Sequence, residues 1–112
     1  MISDDVIVKN EFLNDGSSIH IYVSGKYNCF VAFGFSAFLA MRTLKAKDIT
    51  LQQRYSVELQ MPMVVIGKRQ LQEMIRDSVA KQGIIEGNYY HIQSSAKMDN
   101  EAYSEWAQWL HG

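Results

Sequence analysis

Apolar and polar positions change period several times along this 112-residue chain, and each change marks a predicted element. Ile19-His20-Ile21-Tyr22-Val23 alternates as a half-buried strand does. Ser24-Gly25-Lys26 follows as a tight-turn sequence, and Tyr27–Phe33 resumes the β-rich pattern, so the two runs predict a hairpin. Val6-Ile7-Val8 is β-branched throughout and predicts an earlier strand, with Asn14–Ser18 as a polar loop before the hairpin.

After Phe33 the period lengthens. Ser36 is a candidate N-cap, and Ala37, Ala40, Met41 and Leu44 share one helical face. Ile49-Thr50-Leu51 predicts a short strand. Val57–Met61 alternates before turning fully apolar through Met63–Ile66, the pattern of a strand buried on both faces. Pro62 within it removes a ladder donor and predicts a bulge or an unpaired edge. From Lys68 to Gln82, Leu71, Met74, Ile75 and Val79 repeat with helical spacing, and Gly83 stands where a C-terminal capping glycine belongs. Ile84–Gln93 predicts another strand, interrupted by a turn or bulge at Gly87. Asp99 can cap a last helix over 99–111, with Tyr103, Trp106, Ala107 and Leu110 on one face. The expected order is β-β-β-α-β-β-α-β-α: one α+β domain over 1–112, with N-terminal strands in 1–26 and a mixed sheet packed by two to three helices.

Composition narrows the class. Apolar types make up 47% and aromatics 12%, too apolar for a disordered chain and sufficient for a core. No apolar run approaches the ~20 residues of a membrane-spanning helix, so no membrane partner is expected. The acidic start Met1–Asp5 lacks the positive region of a secretion signal, and Cys29, the single cysteine, forms no internal disulfide; both point to the cytoplasm. Net charge is −1, yet residues 42–81 carry eight bases against four acids, a basic middle between acidic ends that suits phosphate.

Catalytic patterns are missing from the sequence. His20, His91 and His111 are far apart and none has a carboxylate or cysteine at ligand spacing. Cys29 sits among large apolar residues, where a buried, inert thiol is expected. Neither phosphate-binding glycine motif occurs. Gly67-Lys68 opens a helix after a strand, a geometry that can hold an anion and more often serves only the turn. Neither an enzyme nor a cofactor or metal is expected.

Cys29-Phe30-Val31-Ala32-Phe33-Gly34-Phe35, then Asp48-Ile49-Thr50-Leu51, then Met61-Pro62-Met63-Val64-Val65-Ile66-Gly67, then the helix Leu71–Gln82 with Gly83, follow one another in a suggestive order. In that order the span 27–87 resembles the N-terminal, mismatch-recognising domain of MutS proteins. The resemblance implies a MutS domain I-like fold and an affinity for duplex backbone. That family carries Phe-x-Glu at its junction; the corresponding residues here are Phe35-Ser36-Ala37, so mismatch repair itself is not implied. Small stand-alone proteins similar to this domain occur in bacteria, some beside reverse transcriptases.

Two roles follow as expectations. The first is a non-enzymatic nucleic-acid-associated adaptor that meets duplex DNA or RNA through Phe35, Arg42, Lys45, Arg54, Lys68 and Arg69. The alternative is a protein-interaction module of a bacterial or mobile-element complex, its partner a larger protein such as a reverse transcriptase, with Trp109 and Tyr90 as anchors.

Overall fold

A computed structural model describes residues 3–25, 29–77, 84–86 and 89–112. Among them the chain forms α1 (Asp4–Phe12), β1 (Ser18–Ser24), β2 (Cys29–Phe33), α2 (Gly34–Lys45), β3 (Gln52–Ser56), β4 (Met61–Ile66), α3 (Lys68–Asp77), β5 (Ile84–Glu86), β6 (Tyr89–Gln93) and α4 (Asn100–His111). The strands make one sheet in the order β3-β4-β2-β1-β6-β5. The α+β class is the expected one. The sheet, however, is antiparallel at every pairing rather than mixed, and four helices pack it rather than two or three.

Connectivity explains the antiparallel sheet. The helical crossover from β2 lands one position further out, at β3, and the short return to β4 fills the gap beside β2, with Phe33 opposite Met63. The crossover from β4 through α3 likewise reaches the other edge at β5, and β6 turns back to pair with β1. Each helix-linked pair of strands is thus separated by a hairpin return, and no parallel neighbours arise.

Alternation along the strands divides the core in two. Ile19, Ile21, Ala32, Val64, Ile66 and Ile92 point to one face, where Ala37, Leu39, Ala40 and Leu44 of α2 and Leu71 and Met74 of α3 cover them. Tyr22, Val31, Phe33 and Met63 point to the other face, where α1 contributes Ile7. α4 packs over β3 and β4 on the α2 side: Trp106 donates its indole N–H to Gln53 Oε1 at 2.8 Å, and Tyr103 meets Phe38 edge-on. Asp99 caps α4 as expected, accepting the Ala102 N–H at 3.0 Å.

Several local expectations are corrected. Val6-Ile7-Val8 is helical, because Ser3 caps α1 by accepting the Val6 N–H, Asp4 and Asp5 suit its first turn, and Ile7 docks on the sheet. Ser36 is not the N-cap of α2; the helix begins at Gly34, and Ser36 is buried within its first turn. Ile49–Leu51 forms no strand: Leu51 is drawn into the core, and β3 starts at Gln52. Residues 57–60 form a turn with Gln60 at φ 54°, closed by the Leu59 N–H donating to Ser56 Oγ, so the strand expected over Val57–Met61 starts only at Met61. Pro62 sits in β4 opposite Tyr55, just before the β2 register begins at Met63, and so interrupts no pairing with β2. Ile84–Glu86 and Tyr89–Gln93 are two antiparallel strands, β5 and β6, rather than one strand. Within 1–26, where strands are expected, the described residues 3–25 hold α1 and β1. The predicted positions Val79, Gln82, Gly83 and Gly87, and the turn at Lys26 and Tyr27, lie outside the described residues.

Candidate functional site

The second face of the sheet is only partly covered. α1 buries Ile7 alone, while Val8, Phe12 and Leu13 point outward. Beside α1 the sheet forms an open groove of about 660 Å³. Its floor is Tyr22, Val31, Phe33 and Met63; α1 supplies Asp4 and Ile7 on one side, and Tyr55, Val57 and Leu59 form the other with Leu110 of α4. Val57, at the crest of the turn, is 80% exposed. Arg54 and Glu58 place one charge of each sign on the rim.

A buried polar network fixes the C-terminal end of α1. Phe33, the N-cap of α2, offers no side-chain hydrogen bond, and α2 has no acid in its first turn. Glu11 takes that role from another element: its carboxylate accepts the Ser36 N–H at 3.1 Å and the Ser36 hydroxyl at 2.6 Å. Asn14 donates to the Ser18 carbonyl at 2.8 Å and to Ser36 Oγ at 3.2 Å, and the His20 N–H donates to the same hydroxyl at 2.9 Å. Burial pushes the Glu11 carboxyl up to about 7, outweighing the donors from Ser36, Asn14 and Phe35 that favour its charged form. Gly34 makes room for this arrangement at φ +57°, since a Cβ there meets Glu11 Oε1 at 3.3 Å.

An aromatic ladder continues the same sheet face. His20 and His91 are cross-strand partners with stacked rings 4.6 Å apart. Tyr89 stacks on Tyr22 and lies 2.6 Å from His20 Nδ1 through its hydroxyl. Burial, helped by the neighbouring His91, drives the His20 pKa down to about 4. Asn10 of α1 donates to the Tyr22 hydroxyl at 3.0 Å, so the ladder also anchors α1. His20, Tyr89 and His91 lie outside the groove lining. Among the described residues no group of three or more His, Cys, Asp or Glu side chains is placed to hold a metal.

The expected nucleic-acid residues are divided by the sheet. Arg42 and Lys45 on α2, and Lys68 and Arg69 at the start of α3, are all exposed on the helix-covered side. α2 and α3 are joined there by Lys47, whose ammonium reaches the Glu73 carboxylate at 3.5 Å. Arg54 stands on the opposite side, opposite Met63 in β4 and on the groove rim. Phe35 is half-buried, its ring packed edge-on against Tyr103 at 4.9 Å. The arginine nearest to it in sequence, Arg42, stacks its guanidinium over Phe38 at 4.8 Å.

Of the expected protein-contact residues, Trp109 is 74% exposed, while Tyr90 is half-buried edge-on against Phe30. Cys29 is half-buried, and burial raises its thiol pKa. Neither the groove nor the Glu11 network follows from any local pattern in the sequence. The sole trace of either was an acid three residues before a turn-forming Asn-Asp-Gly, which is unremarkable in a linear string. No family model, curated protein or solved structure matches this chain. No helix of the described residues is long and apolar enough to cross a membrane.

Proposed function

We propose that this chain is a non-enzymatic adaptor that docks a partner protein in the groove beside α1. The observation that carries this reading is the groove itself: an apolar floor of Val31, Phe33 and Met63, a mixed-charge rim, and a projecting Val57 at its edge. Apolar pockets ringed by polar groups are the common form of a protein-binding surface. Phe12 at 86% exposure and Trp109 at 74% add further apolar contact outside the groove. The test compares proteins co-purifying with the wild type, with Val57→Asp/Leu59→Asp and with Lys45→Glu/Arg69→Glu. Loss of specific partners with the first double variant and retention with the second is expected. Equal retention with both would overturn the reading.

A second reading, a MutS domain I-like adaptor on nucleic acid, is favoured by the exposed bases Arg42 and Lys45 of α2 and Lys68 and Arg69 at the start of α3, and by the absence of any acid in α2. Phosphate contact there is salt-dependent and leaves the groove on the far face open to a protein. Fluorescence anisotropy with duplex and single-stranded probes at low salt tests it, and no change at tens of micromolar protein counts against it.

A further inference from the structure

We propose that the partner docks as an extended strand, a segment with apolar residues at alternate positions that hydrogen-bonds to the outer edge of β3 beside the groove. The proposal rests on the groove reading and adds the form of the ligand. β3 (Gln52–Ser56) ends the sheet, and among the described residues no strand lies beyond it. Pro62 decides which of its backbone groups are spare. Antiparallel neighbours alternate between pairs that exchange N–H···O bonds and pairs that do not. Pro62 has no N–H to exchange, so Tyr55–Pro62 is a pair of the second kind, and so, two residues away, is Gln53–Val64. Arg54 and Ser56 therefore bond to β4 through Met63 and Met61, while Gln53 and Tyr55 turn their N–H and C=O groups outward. Among the described residues no hydrogen bond reaches those outward groups. α4 meets this strand through side chains: Trp106 donates to Gln53 Oε1, and His111 sits edge-on to the Tyr55 ring at 4.6 Å.

Sheets commonly blunt an edge with a bulge or a proline. β3 carries neither, and its register with β4 runs unbroken from Gln52 to Ser56. The edge opens directly on the groove, since Arg54, Tyr55 and Ser56 all line it. Side chains of an added strand alternate between its two sides. On one side they meet Tyr55 and Leu110, which suits apolar residues. On the other they lie beside Arg54, where an acidic cross-strand neighbour is favourable. A docked helix keeps its own backbone bonds and leaves Gln53 and Tyr55 unpaired, whereas an added strand satisfies both. Arg54 also argues against a second copy of this chain as the occupant. The two-fold register in which Gln53 of one β3 exchanges bonds with Tyr55 of another puts Arg54 opposite Arg54, and like charges directly opposed are destabilising.

Phage display of random peptides on the immobilised full chain supplies the probe, kept only if Val57→Asp/Leu59→Asp releases it. The strongest synthetic peptide is then N-methylated one residue at a time, which leaves the protein's own folding untouched. A loss of binding on the order of 10-fold or more is expected at every second residue, with little change between, because only alternate peptide N–H groups face β3. Amide exchange reads the protein side. In the free chain Gln53 and Tyr55 are expected to exchange faster than Arg54 and Ser56 after correction for intrinsic rates. Saturating peptide is expected to slow Gln53 and Tyr55 on the order of 10-fold or more. Groove-dependent peptides that show no two-residue period, or that leave Gln53 and Tyr55 unprotected, overturn the strand and keep the groove. A selection that returns no such peptide overturns both. Gln53 and Tyr55 amides already protected in the free chain overturn the strand alone, and protection that is lost on dilution assigns the edge to a second copy instead.

Discussion

Glu11 on α1 caps α2 through Ser36, 25 residues further along the chain, with the hydroxyl donating at 2.6 Å and the N–H at 3.1 Å. Glu11→Ala strands the Ser36 N–H and hydroxyl and part of the Asn14 amide in a buried site. A loss of about 1–3 kcal/mol is expected by chemical denaturation. Glu11→Gln keeps an acceptor of the same shape, and a smaller loss is expected at pH 8, where the wild type carries the buried charge.

The pH dependence of global stability is set by two opposed groups. Glu11 has its pKa raised from 4.5 to about 7, so the unfolded state sheds the proton first and stability falls as pH rises through that window. His20 has its pKa lowered from 6.5 to about 4, so the unfolded state binds the proton first and stability rises with pH through 4–6.5. Over pH 4.5–6.5 the two slopes nearly cancel, and a flat profile is expected for the wild type. Glu11→Gln should leave a rise and His20→Gln a fall, each approaching about 1.4 kcal/mol per pH unit at its steepest. Denaturant midpoints at half-unit pH steps read both.

Gly34→Ala places a Cβ 3.2 Å from Met61 Sδ and 3.3 Å from Glu11 Oε1, at a left-handed φ of +57°. Both strain and the displaced carboxylate act in the same direction. A loss of at least about 1–2 kcal/mol is expected, with faster exchange of α1 amides than of β1 amides.

These two residues also show where the sequence stops being legible. α4 was readable because its cap is local: Asp99 reaches Ala102 three residues away, and its half-buried face repeats with helical spacing. The β1–β2 pair was readable from alternation and a turn sequence. The cap of α2 was not, since it arrives from a different helix, and Ser36 therefore looked like the cap it serves. Val6–Val8 looked like a strand because β-branched propensity is a weak preference, overridden by the Ser3 cap and by Ile7 docking on Phe33 and Tyr22. The basic residues were readable as a set, but the sheet places Arg54 behind the other four, and alternation within β3 decides that only once Met63 is its partner.

Nucleic-acid contact, on the second reading, discriminates between the two sides of the sheet. Lys45→Glu/Arg69→Glu is expected to weaken duplex binding at low salt by 10-fold or more, on the order of 1–2 kcal/mol, and to lower its salt dependence. Arg54→Glu, on the groove rim, is expected to leave it within about 2-fold. Anisotropy titrations at two salt concentrations compare the three proteins.

The most direct test of the docking groove is photo-crosslinking in cells from single positions replaced by a photoreactive residue. Position 57 lies at the groove edge, and position 45 on the opposite, helix-covered side. A discrete protein adduct from position 57, absent from position 45 and lost when Leu59→Asp is added, is the predicted result. Adducts from position 45 alone, or from both positions alike, would contradict it.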